Sequence, residues 1–148
     1  MQAQLLAPAA VLIAWSLIML FWMAGTRLPA LAKSGVLKNA KPGGRGQDLE
    51  GVLPDQINWK AHNYAHLMEQ PTIFYAVVII LALMGGNEYD VAAAWIYVAL
   101  RIIHSLWQAL VNRVPVRLAL FTLSSIAMLY LAYRALAVTL FANPGVVA

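Results

Sequence analysis

Long apolar stretches recur four times along the chain. Leu5–Gly25 carries no charged residue and matches the roughly 20 apolar residues that a membrane-spanning helix needs. Pro71–Gly86 is shorter, and its helix is predicted to begin well before Pro71. Val91–Leu110 is interrupted by Arg101 and His104, and Leu118–Phe141 carries Arg134 towards its far end. The pattern predicts an all-α membrane protein, a bundle of four transmembrane helices running up and down. The spans fall at 5–25, 62–86, 91–112 and 117–141, with one long loop at 26–60. No internal repeat or low-complexity segment interrupts this single-domain reading of residues 1–148.

Polar residues inside the spans are arranged rather than scattered. Arg101, His104, Ser105, Gln108 and Asn112 fall at i, i+3, i+4, i+7 and i+11, which puts them on one helical face. Ile102, Ile103, Leu106, Ala109 and Leu110 fill the other directions. A charge at bilayer depth costs about 2.5–3.5 kcal/mol on insertion scales, so that polar face must look at protein or at a wet cavity. In the second span His62, His66 and Glu69, with Asn63 beside them, share a face at i, i+4, i+7 and i+1. At 1.5 Å per residue, Glu69 then lies about 24 Å and Arg101 about 16 Å below the outer turn. Neither is tolerable alone in a low dielectric, so the two are expected to pair, directly or through one neighbour.

Composition agrees with the spans: 62% of the residues are hydrophobic and 11% charged, against about 25% charged in soluble domains. The net charge of +4 does not point to nucleic acid, because of where the charges lie. Arg27, Lys33, Lys38, Lys41, Arg45 and Lys60 lie between spans one and two, and Arg113 and Arg117 between three and four. The outer turn at Gly85–Asp90 and both tails hold no Lys or Arg. By the positive-inside rule those two loops are cytoplasmic and both termini lie outside the cytoplasm, in the inner membrane if the protein is bacterial. The first span is not a signal peptide, since Met1–Gln4 is not basic and the apolar run is too long.

Several chemistries are weak on this sequence. There is no cysteine, so disulfides, thiolate metal sites and a cysteine nucleophile are excluded. Gly43, Gly44 and Gly46 follow no strand and precede no Lys-Ser/Thr, so the turn-forming, mobile run Lys41–Gly46 is not a phosphate loop. His62, His66 and Glu69 have the spacing of three metal ligands, but hydrogen-bonded interfacial histidines are commoner and no metal is assigned. Ser105 lacks a nucleophile-elbow context, and His104 reads as a buried, hydrogen-bonded residue. A transporter is disfavoured because neither a broken helix nor an inverted repeat is evident. Arg134 reads as snorkelling to head groups. The predicted cavity instead opens to the cytoplasm, basic at its rim and lipid-facing at its walls, suited to an anionic ligand and an apolar one together.

The stretch Arg101-Ile-Ile-His-Ser-Leu-Trp-Gln-Ala-Leu-Val-Asn-Arg-Val-Pro-Val-Arg117 resembles the third-helix signature of the MAPEG family, membrane-associated proteins in eicosanoid and glutathione metabolism. His66-Leu-Met-Glu69 followed by Pro71 is similar to that family's second-helix segment. The resemblance implies a homotrimer binding glutathione between subunits on the cytoplasmic side, as co-substrate for a transferase or peroxidase acting on a lipophilic molecule. It assigns Arg117 and Arg101 as catalytic. It places Glu69, His66, Arg101, His104, Ser105, Gln108, Arg113 and Arg117 around the glutathione. Bland readings stand beside these, Glu69 and Arg101 as a structural pair and Arg113 and Arg117 as interfacial anchors. His66, Gln108 and Phe121 stand where the family commonly has Asn, Tyr and Tyr. A second reading is a non-catalytic lipid- or fatty-acid-binding scaffold of the same fold.

Overall fold

The structure is a computed structural model that describes residues 1–39 and 42–142. Its order is α1 (Gln2–Ser34), α2 (Asp55–Leu67), α3 (Gln70–Met84), α4 (Glu88–Leu110) and α5 (Val114–Leu140), with single 3-10 turns at Val36–Asn39 and Gly46–Leu49. No strand occurs among the described residues. Four helical segments are long and apolar enough to cross a bilayer: α1, α2 with α3, α4 and α5. The chain is an integral membrane protein built as a four-span helical bundle.

The first helix overshoots its predicted end by nine residues. At 1.5 Å per residue its 33 residues run about 50 Å, against about 30 Å of hydrocarbon. Gly35 stops it in a left-handed conformation at φ 67°, which a glycine adopts without a Cβ penalty. The long loop is therefore shorter than the sequence suggested, and the 3-10 turn at Gly46–Leu49 lies back against it. Lys41, the first residue of the turn-forming run, lies outside the described residues, while Gly43 further along it has φ 81°.

The second span is the main departure from expectation. A continuous helix over 62–86 was expected, but the helix starts earlier, at Asp55, and breaks between Leu67 and Gln70. Pro71 explains the break. It has no N–H to offer the Leu67 carbonyl, and its ring collides with that carbonyl in a continuous helix. Met68 N–H turns back to Ala65 O at 2.9 Å and Glu69 N–H to His66 O at 3.4 Å, tightening the last turn of α2. The 15 residues of α3 span about 22 Å, so the break sits at bilayer depth. Non-helical backbone survives there only where protein or a cavity shields it. A transporter had been disfavoured partly for want of a broken helix. That premise is corrected, and the absence of an evident repeat is what remains of it.

The core runs along the bundle axis, from Leu5, Leu12 and Met19 of α1 to Phe74, Val78 and Leu81 of α3, Tyr97 and Val98 of α4, and Met128 and Leu131 of α5. Phe74 and Tyr97 stack with ring centroids 4.4 Å apart. Hydrogen bonds between side chains cross the same layer: Trp15 Nε1 donates to Ser105 Oγ at 3.0 Å, Gln70 Nε2 to Ser125 Oγ at 2.9 Å, and Tyr97 OH to Gln70 Oε1 at 3.3 Å. At the turn between α3 and α4, Asn87 and Asp90 cap α4 reciprocally. The fully buried Asp90 also accepts from Arg134 Nε at 3.0 Å and Nη2 at 3.3 Å. Arg134 thus clamps α5 to the start of α4 rather than snorkelling to head groups.

Candidate functional site

Arg101 is the largest side chain with no exposed surface. Its Nη2 donates to His66 O at 3.1 Å, a carbonyl at the break after α2 that Glu69 N–H also approaches at 3.4 Å. A cation at a helix C-terminus also meets the negative end of the helix dipole. Arg101 Nη1 lies 3.4 Å from His66 Nε2, and His66 Nδ1 lies 2.8 Å from Glu69 Oε2. A guanidinium only donates and a carboxylate only accepts, so one neutral tautomer, with the proton on Nδ1, satisfies both contacts. Glu69 and Arg101 are joined, as expected, through one neighbour, and that neighbour is His66. The break turns Glu69 outwards, with 66% of its side chain exposed.

The rest of the polar face of α4 divides in two. Arg101, His104, Ser105 and Gln108 are buried, while Ile103, Leu106 and Leu110 on the other side are exposed, as the spacing predicted. Ala109 is buried too, against expectation. Ser105 is committed to Trp15 of α1, so its hydroxyl ties helices together. Gln108 is buried with no partner for Oε1 among the described residues. The His104 ring lies tilted against that of His66, with centroids 4.9 Å apart, and both approach Phe121, at 6.4 and 5.5 Å.

The turn between α4 and α5 sets the position of Arg117. Asn112 reverses the chain in a left-handed conformation at φ 54°, which Asn tolerates better than most residues. Its N–H closes on Trp107 O at 2.8 Å. Its side-chain Oδ1 accepts from Arg117 Nη1 at 2.7 Å. Pro115 stands in the first turn of α5, where a missing N–H is harmless. Arg113 caps α5 from an exposed position, and its carbonyl accepts from Trp107 Nε1 at 3.2 Å.

These elements leave an open cavity of about 210 Å³ lined by His66, His104, Val114, Arg117, Leu118 and Phe121. Two imidazoles and a guanidinium face three apolar side chains. Of the expected site residues the structure places His66, His104 and Arg117 on the cavity. Arg101 and Glu69 stand behind it, bonded to His66. Ser105, Gln108 and Arg113 are not among its lining residues. His62 does not join His66 and Glu69. It meets Glu50 at 2.9 Å instead, and no cluster able to hold a metal ion occurs among the described residues. The sequence reading missed Val114 and Leu118 as cavity walls, although Val114, Arg117, Leu118 and Phe121 recur at i, i+3, i+4 and i+7 on one face of α5.

No curated protein and no solved structure matches the chain significantly. The MAPEG family profile matches residues 5–137, nearly the whole length, and takes in every residue of the cavity. This chain belongs to the MAPEG family.

Proposed function

We propose that the protein is a membrane-embedded, glutathione-dependent transferase or peroxidase acting on a lipophilic electrophile. One observation carries the reading. Arg117 and two imidazoles share a cavity with the apolar wall of Val114, Leu118 and Phe121 at one end of the bundle. A polar thiol co-substrate and an apolar acceptor both find matching surface there. The cationic rim also fits the carboxylates of glutathione, since a guanidinium stays charged and donates in a fork.

The work divides among this chain's residues as follows. Arg117 lies beside the thiol and lowers its pKa, so that the thiolate is the attacking species. His104 also lines the cavity, and its imidazole can accept the thiol proton and return it to the product, whereas both ring nitrogens of His66 are engaged by Arg101 and Glu69. Arg101 and Glu69 hold the His66 ring and act through it. The thiolate sulfur then forms the new bond to the electrophile, whose leaving group or opened oxygen takes up the proton.

The cavity in one chain is smaller than the roughly 300–1,000 Å³ of ordinary ligand pockets, and it is open. Leu118 beside it, and Leu129, Tyr133 and Leu136 further along α5, are exposed. Both features support a homotrimer in which a neighbouring subunit closes the site. The eight basic residues of the two loops support a cytoplasmic placement of the cavity, with both termini on the other side.

A second reading rests on the same cavity. Phe121 stands where the family commonly has Tyr, and with Leu118 and Val114 it makes half the wall apolar, which also suits a fatty-acid-binding scaffold without turnover. Conjugation of glutathione to a lipophilic aryl halide by the purified protein separates the two. Arg117→Ala is expected to lower kcat/KM by about 100-fold, the scale of losing one stabilising donor at a developing charge. Tight fatty-acid binding with no conjugation or peroxidase activity would move the assignment to the scaffold.

A further inference from the structure

One side chain that does not line the cavity ties three helices together next to it. Gln70 opens α3, immediately after the break, and its carboxamide reaches α4 at one end and α5 at the other. Tyr97 OH donates to its Oε1 at 3.3 Å, and its Nε2 donates to Ser125 Oγ at 2.9 Å. The Ser125 hydroxyl donates in turn to Phe121 O at 2.8 Å, and Phe121 is a wall of the cavity. We propose that Gln70 is a positioning residue, which sets the Phe121 wall against the Arg101 guanidinium and so fixes the apolar half of the cavity.

The chemistry of the chain of bonds calls for a carboxamide at this place. Tyr97 is fully buried, so its hydroxyl needs an acceptor. Ser125 commits its proton to Phe121 O and therefore needs a donor. Gln offers one of each from a single planar group, whereas a carboxylate only accepts and would bring a charge into the bundle. Ser124 Oγ donates to the same Phe121 carbonyl at 2.9 Å, so two hydroxyls hold that turn of α5.

These bonds hold an aromatic cage. Arg101 Cζ lies 5.9 Å from the Tyr97 ring centroid and 5.8 Å from that of Phe121. Arg101 has no exposed surface and no carboxylate within ion-pair distance among the described residues. Its charge is met by the His66 carbonyl and by the two ring faces, and cation–π attraction is strongest where water is excluded. Gln70 is bonded to the side chain that carries one ring and, through Ser125, to the backbone that carries the other. Without it the turn of α5 that bears Phe121 loses its tie to α3, and the ring shifts against Arg101, His66 and His104. The effect on catalysis rests on the function proposed above, whereas the effect on Arg101 does not.

The test compares Gln70→Leu and Ser125→Ala with wild type, both in the full-length protein. Steady-state kinetics is combined with nitrogen–proton NMR of isotopically labelled arginine side chains, Arg101 being assigned from Arg101→Lys. Ser125→Ala is the milder change, since Tyr97 stays bonded to Gln70 and Phe121 O to Ser124. It should raise KM for the lipophilic electrophile about fivefold, the scale of one lost hydrogen bond, and Gln70→Leu should raise it further. In both variants kcat and its pH profile should stay as in wild type, because Arg117 is untouched and only uniform binding is lost. The Arg101 Nε–H resonance should move in both, as the ring faces shift relative to the guanidinium. An unmoved Arg101 resonance in both variants overturns the proposal. So does an unchanged KM in an active protein, or a fall in kcat with KM unchanged. A wild type without turnover would instead defeat the functional reading, and the Arg101 resonance would then decide the positioning role by itself.

Discussion

Asn112 is the residue whose geometry reaches furthest into the proposed chemistry. Its left-handed backbone turns the chain from α4 into α5, and its side chain fixes Arg117 at 2.7 Å. The two roles separate by substitution. Asn112→Gly keeps the conformation at no steric cost but removes the acceptor. Its melting temperature should stay close to wild type while glutathione affinity falls about tenfold, the equivalent of about 1.4 kcal/mol. Calorimetry and a thermal melt on the same preparation check both halves. At this scale the sequence was partly legible. The spacing of Arg101, His104, Ser105 and Gln108 did predict a buried polar face. It did not predict which of them reach a cavity, because that depends on partners from other helices. Ser105 is taken by Trp15 across 90 positions, and Arg134 by Asp90 across 44, pairings that helical periodicity cannot register.

Pro71 decides the shape of its element. A run read by apolarity alone joins residues 62–86 into one helix, and the missing N–H of one residue divides it. The break leaves the His66 carbonyl within reach of Arg101 and lets Glu69 turn back to the His66 ring. Sequence reasoning noted Pro71 but placed the helix through it, which also put His62, His66 and Glu69 on one shared face, whereas His62 meets Glu50 instead. Pro71→Ala restores the donor for Leu67 O and removes the clash, so α2 and α3 should move towards a continuous helix. Spin labels placed on exposed Gln56 and Leu83 of a cysteine variant pair should then report a changed distance distribution. Glutathione affinity should fall at the same time, because His66 loses its place between Arg101 and Glu69. An unchanged distance would show that tertiary contacts, not Pro71, hold the break.

For the molecule as a whole, amphipathic and charge patterns carried most of the information. Four apolar runs against 11% charged residues were enough to specify a membrane bundle, since a soluble chain could not cover that surface. Orientation rests on the basic loops, and the lack of any native cysteine makes it simple to test. In intact cells Glu88→Cys at the outer turn should react with a membrane-impermeant maleimide, whereas Gly44→Cys in the basic loop should react only after permeabilisation. The opposite pattern would invert the topology and place the Arg117 cavity outside.

The central claim is that the cavity beneath Arg117 receives glutathione. Isothermal calorimetry of glutathione binding to the purified protein, wild type against Arg117→Ala, tests it most directly. Saturable binding to wild type is expected, lost in Arg117→Ala while the variant keeps its melting temperature. Absence of binding to wild type at millimolar glutathione, or binding of equal strength to the variant, would contradict it.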